Sequence, residues 1–119
     1  MKFSLATVFV NNMEASLHFY HGLLGLPIQA MRPAGNGELA MLGMEGQPQI
    51  ELIFDPQQTQ NTYAGFSLGI EVQSLEGATA LLAKEGHPTI RGPICPMPGV
   101  RFSFVHDPNG ITVQLIEYE

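Results

Sequence analysis

Val10-Asn11-Asn12-Met13-Glu14 and Val72-Gln73-Ser74-Leu75-Glu76 decide the fold, because the chain makes the same transition twice. Each quintet ends an apolar run and opens a helix-like segment. Each segment then stops at a glycine with a proline two residues on, in Gly25-Leu26-Pro27-Ile28 and Gly86-His87-Pro88-Thr89-Ile90. Further along, Ile50-Glu51-Leu52-Ile53 is answered by Val113-Gln114-Leu115-Ile116. The offset is 62 residues early in the unit, from Val10 to Val72, and 63 late in it, from Glu51 to Gln114. The extra residue falls in the turn after the helix, where an insertion costs little. Two copies of one supersecondary unit are expected to pack about a pseudo-two-fold axis, with equivalent positions facing a shared cleft.

Residues 3–10 read as a strand rich in aromatic and β-branched types. Asn12 is a plausible N-cap, and Glu14 in the first turn suits the helix dipole. Met13, Leu17, Tyr20 and Leu24 recur at helical spacing and predict one apolar stripe before Gly25 ends the helix. Strands are expected near 27–32, 38–44 and 48–54. The second copy runs as a strand over 65–72, a helix over 75–85 after Ser74, and strands near 88–92, 100–106 and 111–118. Asp107-Pro108-Asn109-Gly110 is a strong turn signal between the last two strands. Each unit is therefore βαβββ: repeat one covers 1–55, a polar connection 56–64 and repeat two 65–119, within one domain of 119 residues.

Composition narrows the function. Glycine (13) and proline (9) sit at turns, and 45% apolar residues can build a core. The net charge of −6 is spread evenly along the chain, with no basic patch to neutralise phosphates, so nucleic acid is not an expected partner. Lone Cys95 excludes an internal disulfide and fits a reducing, cytoplasmic setting. No stretch is apolar and long enough for a signal peptide or a membrane span, so no membrane partner is expected.

Alternation within strands predicts which side faces what. Helices should cover the side bearing Ala6, Val8, Val10, Ile50, Leu52, Phe54, Phe66, Leu68, Ile70, Val72, Ile111, Val113 and Leu115. The other parity should face the cleft: Leu5, Thr7 and Phe9; Gln49, Glu51 and Ile53; Ser67, Gly69 and Glu71; Thr112, Gln114 and Ile116. Its mixture of apolar and polar groups is that of a ligand cavity rather than of a solvated sheet face.

Two motifs carry a family resemblance. Ser16-Leu17-His18-Phe19-Tyr20 with Leu24-Gly25-Leu26 is similar to the helix-to-turn pattern of the vicinal oxygen chelate superfamily. Phe104-Val105-His106-Asp107-Pro108-Asn109-Gly110 leading into Gln114-Leu115-Ile116-Glu117 resembles that superfamily's ending. The superfamily includes glyoxalase I, bleomycin-resistance proteins and extradiol dioxygenases. The resemblance implies an α+β fold in which two tandem βαβββ units form a U-shaped mixed sheet around a cleft, helices outside, commonly completed by a homodimer.

It also implies where a metal would sit. The family's metal enzymes place a histidine, glutamate or glutamine on the first and last strand of each unit. Carried over, those positions are Leu5, Glu51, Ser67 and Gln114. Leucine offers no lone pair, serine hydroxyl is a poor neutral ligand and Gln114 offers only an amide oxygen. No cofactor is therefore expected, although a divalent metal held by Glu51, His106 and Gln114, or by a partner chain, is the competing reading. Glu51 and His106 are the candidate acid–base groups, and Glu71 is a solvated alternative. His18 and His21 are expected on the helix's outer side, His87 in a turn, and Met31, Met41 and Met44 in the core. Cys95 lies in a proline-rich segment, Gly92–Gly99, that reads as a lid or dimer contact. Arg101 follows it, poised for an anionic ligand group or an interstrand salt bridge.

Two functions compete. One is a metal-independent protein of bleomycin-resistance type, binding a small aromatic or cationic molecule with Leu5, Thr7, Phe9, Glu51, Ser67, Gly69, Arg101 and Gln114. The other is a divalent-metal-dependent, glyoxalase-like lyase or isomerase, or a dioxygenase.

Overall fold

The structure, a computed structural model describing residues 1–119, repeats one βαβββ pattern twice. In the first unit, Met1–Asn61, β1 (Leu5–Phe9) leads into α1 (Met13–Leu17) and a π-helical segment (His18–Leu23). Strands β2 (Ile28–Ala34), β3 (Gly37–Leu42) and β4 (Gln49–Phe54) follow. The second unit, Thr62–Glu119, contains β5 (Ser67–Glu71), α2 (Leu75–Lys84), β6 (Arg91–Met97), β7 (Val100–His106) and β8 (Thr112–Tyr118). Sheet one has the order β1-β4-β3-β2 and sheet two β5-β8-β7-β6. In both, the first and last strands pair in parallel and the remaining pairs are antiparallel.

The register carries the repeat into three dimensions. Leu5 pairs with Gln49 and Thr7 with Glu51. Their equivalents pair identically, Ser67 with Thr112 and Gly69 with Gln114. The helices begin as the caps dictate: Asn12 accepts from the amide of Ala15 at 2.9 Å, and Ser74 from Gly77 at 3.0 Å. Gly25 and Gly86, at φ 77° and 93°, end them in the left-handed conformation. Helix α1 packs on β4, and α2 on β7 and β8. Val8, Val10, Leu52, Val113 and Leu115 are fully buried on the expected parity. Neither helix is long and apolar enough to cross a membrane.

Four local expectations are corrected. The buried stripe of the first helix is Met13, Ser16, Phe19 and Tyr20, while Leu17 and Leu24 are only half-buried. The π-helical winding of His18–Leu23, with the Leu24 amide bonded to the Phe19 carbonyl, shifts the phase of the later residues. The proline-rich segment is not a loop: Arg91–Met97 is the edge strand β6, whose register slips beside Ile94. An edge strand and its bulges are where proline is tolerated. Gly92 is required there, since a Cβ would lie 2.9 Å from the Phe102 carbonyl oxygen. Phe66 precedes β5 and is 45% exposed, its ring edge-on to Tyr63 rather than under a helix. Met31 and Met44 are exposed, on the outer strand β2 and in the turn before β4, and fill no core.

The turn after β7 depends on one buried carboxylate. Asp107, 4% exposed, accepts from the amides of Asn109 and Ile111, both at 2.8 Å, and from the Asn109 side chain at 3.0 Å. Asp107→Ala would strand these donors, at about 1–3 kcal/mol for each left unsatisfied. It is expected to lower the urea midpoint by the equivalent of about 3 kcal/mol. Asp107→Asn, keeping one acceptor oxygen, is expected to lose less.

Candidate functional site

Pairing fixes which side chains share the uncovered face of each sheet, because directly paired residues project to the same side. On sheet one, a row runs across all four strands through Thr7, Glu51, Met41 and Ala30. The next row holds Phe9, Ile53, Leu39 and Arg32. On sheet two, the corresponding rows are Gly69, Gln114, Phe104 and Arg91, then Glu71, Ile116, Phe102 and Ile94. Beyond them, Ser67 pairs with Thr112 and Thr112 with His106.

The two faces have different chemistry. On sheet one the Thr7 hydroxyl donates to Glu51 Oε1 at 2.8 Å, fixing one carboxylate oxygen. Leu5, 36% exposed, stands on the same face two residues before Thr7. On sheet two the Phe102 and Phe104 rings meet edge to face with centroids 5.6 Å apart. The Arg91 guanidinium carbon lies 5.9 Å from the Phe104 centroid, within cation–π range. Gly69 leaves its place in the row to its neighbours: a Cβ there would lie 3.4 Å from Ile116 Cδ1 and 3.8 Å from Gln114 Oε1.

Most residues anticipated from sequence project as expected, and one does not. Leu5, Thr7, Phe9 and Glu51 share the uncovered face of sheet one, and Ser67, Gly69, Gln114 and exposed His106 that of sheet two. Arg101 points the other way. It pairs with Glu117 on the side of Ser103 and Leu115, beneath α2. There its guanidinium lies 3.7 Å from Glu117 Oε2, while Glu117 Oε1 accepts from the first amide of α2, Leu75, at 2.8 Å. Arg101 thus steadies a helix cap through the interstrand ion pair, on the helix-covered side of the sheet. His18 and His21 are exposed on the first helix, His21 Nδ1 lying 2.8 Å from the Leu26 carbonyl oxygen. His87 Nδ1 is 3.0 Å from the His106 carbonyl oxygen, a turn-fixing contact. Arg91, Phe102 and Phe104 were missed as site residues. The alternation of Arg101 to His106 beside Gln114 already signalled the two phenylalanines, whereas Arg91 needed the β6 pairing.

This chain belongs to the Glyoxalase/Bleomycin resistance protein/Dioxygenase superfamily, whose family model matches residues 2–115. Its fold is shared with the trypanothione-dependent glyoxalase I of Leishmania major, at a TM-score of 0.84 and 18% identity over 98% of this chain and 86% of that one. It is shared also with the antibiotic-binding protein TnmS3 of a Streptomyces species, at a TM-score of 0.72 and 20% identity over 100% and 97% of the two chains. A glyoxalase family protein of Enterococcus faecalis aligns at a TM-score of 0.72 and 22% identity over 98% and 97%. At these identities the likeness is one of fold. No curated protein matches the chain.

The superfamily implies a divalent metal for some members, and the donors here do not fit one. Leu5 has no lone pair, Ser67 and Gln114 are neutral, and one Glu51 oxygen is already engaged by Thr7. No group of three or more His, Cys, Asp or Glu side chains is arranged to hold an ion. Titrating the purified protein with Zn²⁺ or Ni²⁺ is expected to give no stoichiometric uptake. Uptake at one ion per chain, lost in Glu51→Ala, would reverse this assignment.

Proposed function

We propose that this chain is a metal-independent binding protein of bleomycin-resistance type, holding a small, partly aromatic organic molecule on the uncovered face of sheet two. The row of Gln114, Phe104 and Arg91 carries the reading: an amide, a ring and a guanidinium stand side by side on one face of sheet two. Apolar contact with Phe102 and Phe104 supplies most of the binding free energy, at about 2.5 kcal/mol per 100 Å² removed from water. Beside the rings, Gln114 offers the ligand both a donor and an acceptor. No bond is made or broken in this mechanism. The protein acts by sequestering its ligand.

The antibiotic-binding neighbour supports the reading by showing that the fold accommodates that use. Self-association belongs to the same proposal, since Phe3, Phe66, Met97 and Tyr118 are all more than two-fifths exposed on a single chain. Sedimentation at micromolar concentration is expected to give a dimer. A cytoplasmic location follows only from the single cysteine and is part of the proposal.

Calorimetric titration with neutral and charged aromatic compounds tests the binding function. Phe104→Ala is expected to weaken any ligand found by about tenfold, an aromatic contact being worth about 1 kcal/mol beyond its area. Arg101→Ala, on the opposite face, is expected to leave affinity unchanged. If no aromatic compound binds, the proposal fails.

A further inference from the structure

We propose that the uncovered face of sheet two selects a carboxylate-bearing aromatic compound, with Arg91 as anion partner and Phe104 as ring platform. The inference rests on the binding function above and specifies its ligand.

Arg91 is directly opposite Phe104, and Phe104 opposite Gln114, so the three groups stand side by side on one face. The cation–π contact at 5.9 Å orients the guanidinium, and Phe102 in turn holds Phe104 edge-on at an interplanar angle of 77°. A preoriented guanidinium loses less freedom on binding than an unsupported one and meets a carboxylate through two parallel N–H donors. No carboxylate of the protein pairs with Arg91; Arg101 and Glu117 form an ion pair on the other face. The neighbouring Gln114 amide supplies a further donor.

The feature belongs to the second copy alone. The equivalent row of sheet one ends in Met41 and Ala30, with neither ring nor cation. Arg32 stands in the next row opposite Leu39, without an aromatic surface beneath it. The whole chain carries 11 acidic against 5 basic residues, so its long-range field repels anions. A preference for an anion must therefore come from a local group, and Arg91 is the one built into the site.

The test uses 2-naphthoate and its neutral isostere 2-naphthamide, titrated calorimetrically into the full chain at low salt. The naphthoate is expected to bind about tenfold more tightly, as a charge-assisted bidentate contact provides. Arg91→Gln, verified as folded by its circular dichroism, is expected to abolish that preference, the two compounds then binding within about twofold of each other. Arg91→Lys is expected to restore part of it, and Arg32→Gln to leave it intact. Equal binding of the two compounds, or a preference that survives Arg91→Gln, overturns the anion assignment and leaves the binding function standing. Failure of both compounds to bind the unaltered protein counts against the binding function itself.

Discussion

The parallel pairing of the first strand of each unit with its last is the constraint on which the rest depends. Side chains alternate across a strand, so a slip of one residue would turn Val8 outward and Thr7 under the helix. The helices prevent this. Val8, Leu52, Val113 and Leu115 are fully buried, and moving any of them to the open side would forfeit about 1.5–3 kcal/mol of burial apiece. Register is thereby fixed by the covered face, and the uncovered face inherits its arrangement without needing to contribute to stability. Thr7 beside Glu51, and Gln114 between Gly69 and Phe104, are consequences of packing on the other side.

That division of labour explains how two copies of one backbone diverged in chemistry. Where sheet one has Thr7, Glu51, Met41 and Ala30, sheet two has Gly69, Gln114, Phe104 and Arg91. Neither set includes a histidine, and the carboxylate of the first is answered by a neutral amide in the second. The covered faces, by contrast, kept the same character, Val8 and Leu52 answering to Ile70 and Leu115. Substitution was free on one side only.

Much of the fold was legible because its determinants are local and periodic. Asn12 and Ser74 announce the helices, glycines end them, and the offset between Glu51 and Gln114 already gave the internal repeat. The turn at Asp107 was readable because its carboxylate bonds amides only two and four residues away. Legibility failed where the period breaks. The π-helical turn of His18–Leu23 changes the phase of the residues from His18 onward, and nothing in residue type marks such a change of winding. In β6 the prolines suggested a loop, since register slips between Arg91 and Met97 erase any alternation. Arg91 was hidden by that same irregularity. Arg101, two residues before Ser103 on a regular strand, makes the interstrand ion pair that was one of its two expected uses.

An amide and a guanidinium change how the site discriminates. A metal centre binds whatever presents oxygens in its coordination geometry, and its strength follows the deprotonation of its ligands. Gln114 carries no ionisable group, and a guanidinium offers its N–H donors in a rigid planar fork. Selectivity then comes from satisfaction. A ligand lacking acceptors would cover the Gln114 amide and the Arg91 guanidinium without pairing them, and each uncompensated polar group costs about 1–3 kcal/mol. Such a penalty rejects purely apolar molecules even when the Phe102–Phe104 surface fits them. Under the proposed binding function, the polar members of the row act chiefly against the wrong ligand, while the rings provide the attraction common to all.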